Sequence, residues 1–292
     1  MRSRGSSGHS REIVEACIKD FIDNSQDNSL RNRENDKAWT DFLLGFSRGD
    51  DPLFGEFKDH IGPFYWTPSE IFSITVPESK VAPDQLTVIS WILPQTERTK
   101  SDNRMETKYP SERWARAYAY GEEFNRRLRG YVVATLNDRG HEAVAPMLSP
   151  LWKQTSSERH GLASNWSERH VAYASGLGTF GLCDGLITPQ GKAMRCGSVV
   201  ARIKIEPTPR PYSNHHAYCL FLSKGICGKC INRCPAGAVT ERGHDKDTCN
   251  RYISQVTAKH VQSHFGLEAH ACGFCQTDIP CESKIPTDDD IQ

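Results

Sequence analysis

The chain has 292 residues, 36 of them basic and 36 acidic, so its formal net charge is zero. That balance argues against a general binder of nucleic acid or other polyanions, which needs a basic surplus. With 37% apolar residues, a mean hydropathy of −0.57 and no apolar run of eighteen, no membrane-spanning helix is expected.

The N-terminus has arginines but no apolar signal core, twin-arginine pair or cleavage site, so a cytoplasmic protein is expected. Residues 1–10 are rich in Gly, Ser and Arg and read as a disordered tail. Ile13, Val14, Cys17, Ile18 and Phe21 fall at helical spacing over 11–24. Residues 25–37 read as a loop. The stretch 38–62 alternates short helical patches with Gly and Asp-Pro breaks. Thr67-Pro68 with Glu70 one turn later predicts a capped helix start. Residues 85–94, continuous, apolar and β-branched, predict a strand buried on both faces. The mixed-charge stretch 95–110 reads as a polar loop and 111–136 as a long helix. A short strand at 143–145, a loop at 149–164, a helix ending at Gly176, a short strand at 185–188, a turn at 189–191 and a strand at 197–205 complete the body. The Pro-rich stretch 207–213 reads as a linker and domain boundary.

Eight cysteines then occupy 63 positions: Cys219, Cys227, Cys230, Cys234, Cys249, Cys272, Cys275 and Cys281. Two residues between Cys227 and Cys230 let adjacent thiolates turn onto one metal centre. The Cys234-Pro235 after a three-residue gap is the iron–sulfur signature, in which the fourth cysteine serves the other cluster of a pair. Two [4Fe–4S] clusters are the favoured reading; zinc and a disulfide framework are the alternatives. Cys17, Cys183 and Cys196 are left over and read as buried non-ligands.

Upstream, Gly176, Gly178 and Gly181 have dinucleotide-fingerprint spacing but follow a helix rather than a strand, so the Rossmann context is missing. Glu168, Arg169, Ser175-Gly176-Leu177-Gly178, Gly181 and Leu186-Ile187, with "CINRCPAGAV", Cys249 followed by "NRYIS", and "CGFCQ", resemble one family pattern. It is that of the cobalamin-dependent iron–sulfur reductases: the epoxyqueuosine reductases and, more distantly, the reductive dehalogenases. The resemblance covers about residues 160–285. It implies an α/β fold, α+β in detail: a mixed cofactor and substrate domain over 11–207, then an α-rich ferredoxin-like double-cluster module over 208–292.

It also implies an oxidoreductase in which two clusters relay electrons to a cobalamin or similar group that reduces a small organic or nucleoside-like substrate. The electron donor would be a ferredoxin or flavodoxin. One cluster would take Cys219, Cys227, Cys230 and Cys281, the other Cys234, Cys249, Cys272 and Cys275. Gly176, Gly178, Thr179, Gly181, Thr188 and Arg195 would face the cobalamin, with Ser175 and Trp166 near it. His170 and Tyr173 would be the catalytic residues lining the cavity, Glu168 and His160 being the other proton sources nearby. Where family members carry a catalytic carboxylate, this chain has Gly161-Leu162. The alternative is a non-catalytic ferredoxin-type electron carrier whose N-terminal domain docks a partner enzyme.

Overall fold

The computed structural model describes residues 4–291. Its centre is a four-stranded, fully antiparallel sheet in the order β1-β2-β8-β3. In chain order, α1 (Arg4–Asn24) precedes β1 (Leu43–Arg48), α2 (Pro52–Ile61), α3 (Pro68–Thr75), β2 (Thr87–Pro94), α4 (Glu97–Arg104), α5 (Glu112–Asp138) and β3 (Ala143–Val144). A hairpin, β4 (Gln154–Ser157) and β5 (Gly161–Ser164), leads to α6 (Glu168–Ala174), a second small hairpin, β6 (Thr179–Phe180) and β7 (Leu186–Ile187), and then β8 (Met194–Ala201). The C-terminal region contains α7 (Leu220–Lys224), α8 (Lys229–Asn232), β9 (Val239–Thr240), β10 (Gly243–His244), α9 (Lys246–Tyr252), a π-helical turn at Ile253–Thr257 and α10 (Ala258–Phe265).

Period-two alternation in the central strands builds two cores. Ile89, Trp91 and Leu93 of β2 pack with Val199 and Ala201 of β8 against Val14 and Ile18 of α1 and Phe124, Leu128 and Val132 of α5. Val88 and Val200 point the other way, into Phe54 and Phe57 of α2, Ile71 and Phe72 of α3, and Val171 of α6. Seven consecutive residues of β2 are buried, as its unbroken apolar run predicts for a strand covered on both faces. Helix α3 begins with the expected device: Thr67 Oγ1 accepts from Glu70 N, and Glu70 Oε2 accepts from Thr67 N.

Several segments differ from the sequence reading; the strand expected at 197–205 runs over Met194–Ala201, and 202–205 lie outside it. Helix α1 starts at Arg4, so residues 4–10 continue a helix rather than form a disordered tail; residues 1–3 lie outside the described ones. Once the Val14/Ile18 stripe is anchored in the core, extending the helix costs far less than nucleating it. Within 38–62, the strand β1 pairs with β2 from Leu43↔Ile92 to Arg48↔Thr87. Residues 154–164 form a hairpin rather than a loop, held by a backbone ladder with no apolar alternation to announce it. Residues 97–104 are α4, with Thr96 Oγ1 capping Thr99 N. This helix lacks an apolar stripe because its buried face is polar.

That polar face holds the end of the chain. Fully buried Asn103 donates to Thr277 Oγ1 (3.0 Å) and accepts from Ser111 N (3.1 Å). Arg104 Nε bonds both oxygens of Glu282 at 2.9 and 3.0 Å, and Lys100 Nζ donates to Ser283 Oγ at 2.7 Å. Arg233 returns the contact, donating to the carbonyls of Asn103, Arg104 and Glu106 at the C-terminus of α4, where a cation meets the negative end of the helix. The Pro-rich stretch is likewise no free linker. Thr208 N donates to Phe46 O and Thr208 Oγ1 accepts from Phe46 N along the outer edge of β1. Arg210 ties to Asp51, and Tyr212 Oη donates to Tyr173 O.

Replacing Asn103 with Ala strands the buried Ser111 amide and takes one of two bonds from Thr277 Oγ1. The expected loss is about 1–3 kcal/mol of stability, measured by denaturant unfolding. An unchanged midpoint would show that α4 does not secure the C-terminal segment.

Candidate iron–sulfur site

All eleven cysteines are free of disulfides, and the eight ligand candidates fall on α7, α8, α9 and the loops around them. Cys219 is the N-cap residue of α7, Cys230 lies in α8 and Cys249 in α9. Cys272, Cys275 and Cys281 share the irregular segment after α10. One gathering joins Cys219, Cys230, Cys234, Cys275 and Cys281 with Cys183, Leu182 and Ile187, Cys234 also lying near Cys272. The Cys183 side chain bonds those of Cys230 and Cys275, and its Sγ lies 3.7 Å from Cys275 O. In the second gathering, burial pushes the Cys272 thiol up to about 12, and neighbouring Cys249 and Cys234 add to the shift. His244 stands beside it, paired with Asp184 at 3.1 Å and bonded to Cys249. Cys227 is half-buried on the turn before α8. The resemblance assigns Cys275 to the second set; here it lies against Cys183, beside the first, while also feeling Cys272.

Sequence reasoning missed Lys192. It is 3% exposed, its Nζ is 3.2 Å from Cys183 Sγ, and its charge also acts on the Cys281 thiol. No carboxylate pairs with it among the described residues. Burial alone would lower its pKa, but Cys183, Cys281, Cys230 and Cys275 outweigh that and hold it well above the usual lysine value. Its nearest counter-charge is the Cys183 sulfur, whose thiol is held well below the usual cysteine value by contacts with Cys230 and Cys275 and by Lys192 itself. An anionic iron–sulfur cluster on these thiolates would add a further counter-charge, although no group of three or more His, Cys, Asp or Glu among the described residues is set to hold a single metal ion. No periodicity marks Lys192 in the sequence, because its sulfur partners lie up to ninety residues away.

The glycine segment does not fit a corrin ring in the same way. A Cβ on Gly178 would meet Ile187 O at 2.2 Å, so this glycine serves the close approach of β6 and β7. Gly176 has φ +78°, and its Cβ would meet Pro209 O at 2.7 Å. A Cβ on Gly181 would meet Ile187 Cδ1 at 3.3 Å. Thr179 Oγ1 accepts from Tyr218 N, Thr188 Oγ1 bonds Gly191 O, and Ser175 Oγ lies 3.3 Å from Ser47 Oγ; all three are fully buried. Arg195 lies over the Tyr118 ring at 4.3 Å, and Trp166 Nε1 donates to Ser198 Oγ. Each of these residues is occupied by the protein itself.

The proposed acid–base residues divide. His170 packs among Phe57, Tyr65 and Phe180, with Nδ1 2.8 Å from Ser167 Oγ. Burial of the ring nitrogens, assisted by Arg169 and Lys246, lowers its pKa to about 3, so this half-buried histidine is neutral near pH 7. Glu168 does not pair with Arg169. It meets Arg129 Nε at 3.1 Å, and the same guanidinium bonds Cys196 O where β3 is too short to cover β8. Burial raises the Glu168 carboxyl against the pull of Arg129. His160 lies against His60, with ring centroids 4.6 Å apart. Tyr173 alone lines a cavity, of about 270 Å³, with Asp51, Glu56, Arg210 and Tyr212. A larger cavity of about 660 Å³ lies between α4, α8 and the last turns, lined by Arg104, Arg233, Lys284 and Asp278 among others.

Because its folded pKa is depressed, the neutral His170 contributes stability above the unfolded value of about 6.5 that is lost as pH falls toward 3. The expected slope is about 1.4 kcal/mol per pH unit in that window. His170→Phe should give a shallower stability–pH profile there in denaturant unfolding; equal slopes would place the ring in contact with solvent.

No protein-family model matches the chain. Curated epoxyqueuosine reductases of Bacillus anthracis and Bacillus cereus are each 28% identical to it over 119 residues, 39% of this chain. The match spans only 29% of the length of each relative. Among solved structures, a catabolic reductive dehalogenase in complex with 3-bromo-4-hydroxybenzoic acid superposes with a TM-score of 0.50 at 12% identity, covering 95% of this chain and 37% of that one. A selenomethionine-labelled epoxyqueuosine reductase superposes with a TM-score of 0.49 at 15% identity, covering 96% of this chain and 69% of that one. The chain is thus similar, as a divergent relative, to the epoxyqueuosine reductases in sequence and to the reductive dehalogenases in fold.

Proposed function

We propose that this chain is an iron–sulfur oxidoreductase whose C-terminal module carries two [4Fe–4S] clusters and delivers single electrons to a substrate held against the N-terminal body. The observation that carries the reading is the convergence of half-buried and buried cysteines around Cys230 and around Cys272, the first of these facing a buried lysine with no carboxylate partner among the described residues. Cys219, Cys230 and Cys281, with Cys227 or Cys275, would hold one cluster; Cys234, Cys249 and Cys272 would hold the other. When bound, the clusters supply one-electron reduction at potentials set by charge, hydrogen bonds and burial.

The chain's own residues would do the rest. Lys192 and His244 place positive charge beside the sulfurs. Burial of Cys230 and Cys275 keeps water from the first gathering. Tyr173, stacked on Tyr212 at 5.2 Å, offers an aromatic wall to a small planar or nucleoside-like substrate in the 270 Å³ cavity. Tyr173 remains the proposed catalytic-site residue, as a wall and hydrogen-bond donor. Reduced ferredoxin or flavodoxin is the proposed donor. A second reading, a dedicated electron carrier, is favoured by the glycine segment, whose close approaches are to the chain's own Ile187 and Pro209.

Anaerobically purified protein is expected to hold about eight iron atoms per chain, and Cys249→Ala about four, since two four-iron clusters are involved. Iron and sulfide analysis with electron paramagnetic resonance checks this. A parent protein with far fewer iron atoms would sink the two-cluster reading. Cobalamin added to the loaded protein then separates the alternatives. A change in its visible spectrum on mixing supports a corrinoid reductase that holds the ring outside residues 176–181; no change supports the carrier.

A further inference from the structure

Lys192 is held along its whole length. Its backbone N donates to Cys281 O at 2.8 Å and Glu282 O at 3.0 Å. The turn before it closes on the same segment, since a Cβ on Gly191 would meet Glu282 O at 2.1 Å. Its stem passes directly over Gly185, where a Cβ would meet Lys192 Cδ at 2.7 Å. Its head ends on the sulfur of Cys183, and its charge acts on the thiol of Cys281. Lysine usually leads its charge out to solvent along a flexible stem; here the fold directs it inward and fixes it there.

The other gathering is arranged differently. Its histidine, His244, is already matched by Asp184 at 3.1 Å, and Arg233 next to Cys272 bonds carbonyl oxygens and lies 3.7 Å from Asp278. Lys192 has sulfur partners only. Cys183 extends its reach: the thiol that accepts from Nζ also touches Cys230 and Cys275.

We infer that Lys192, with Cys183 as its relay, sets the reduction potential of the cluster held by Cys219, Cys230 and Cys281. A reduced cluster carries one more negative charge than an oxidised one. A fixed cation in a low-dielectric site therefore stabilises the reduced form and raises the potential. Lys192 acts through the cluster and its ligands and is a positioning residue for charge. The inference rests on the two-cluster reading above.

The test is a redox titration of the anaerobic, cluster-loaded full chain, followed by electron paramagnetic resonance. Lys192→Met keeps the stem and removes the charge. At a fixed ambient potential, the reduced-to-oxidised ratio of one cluster should fall at least tenfold, a shift of 59 mV for a one-electron couple, while the other cluster stays put. Lys192→Arg should restore the parent value. Where Met costs the cluster, Lys192→Gln carries the same measurement with a hydrogen-bond donor retained. Loss of that cluster in Met and Gln but not Arg still reports a requirement for charge. Loss in all three, or an unshifted potential in a fully loaded variant, overturns the inference in favour of a packing role. A parent protein without iron–sulfur signals would instead sink the two-cluster reading itself.

Discussion

The segment from 266 to 287, with three of the eight cysteines, has no helix or strand of its own, so its backbone and its thiols must be met from outside. The rest of the molecule is arranged to do so. Helix α4 gives Lys100, Asn103 and Arg104 to Ser283, Thr277 and Glu282. The turn before β8 gives the amides of Lys192 and Ala193 to the carbonyls of Cys281 and Glu282. Gly273, at φ +84°, lies so close to the Trp114 indole of α5 that a Cβ would meet it at 2.1 Å. A cysteine-bearing loop without regular structure is in this way fixed by polar contacts to the antiparallel sheet and its helices. Geometry at the sulfurs therefore depends on residues nearly two hundred positions upstream.

Much of the fold was legible where one physical signal dominated. The unbroken apolar run of β2, the stripe of α5 and the reciprocal cap of α3 each contain their own explanation. What was not legible lacked an apolar pattern. Strand β1 is interrupted by Gly45, where a Cβ would meet Ser175 O at 2.3 Å; the residue that breaks the pattern is the one that lets the strand fit. Helix α4 and the β4–β5 hairpin are polar because their partners are polar. The site divides along the same line. Local cysteine spacing identified the sulfur-rich region, whereas Lys192 and Cys183 depend on contacts that no local spacing encodes. The glycine segment misled for a related reason: glycine marks close approach of something, and here that is the chain itself.

Charge is distributed unevenly through the interior. Arg129 is nearly sealed from water, yet it reaches Glu168, Glu122 and Cys196 O. It works as a clasp between α5 and α6 across the part of β8 that β3 leaves open. Breaking such a buried pair by removing one partner is strongly destabilising, because the survivor keeps its desolvation cost. Lys192 has the same burial but meets sulfur in place of carboxylate, its Nζ lying 3.2 Å from Cys183 Sγ.

The strap at 207–212 has a consequence for solubility. It lies along the outer edge of β1 and takes up Phe46 N and O, backbone groups that would otherwise face outward at the end of the sheet. An open strand edge is a template for pairing with another molecule. The prolines at 207, 209 and 211 have no N–H to offer a further strand, so the strap ends the ladder rather than extending it. A nick in this stretch would uncover β1 and turn a well-behaved molecule into one able to recruit copies of itself edge to edge.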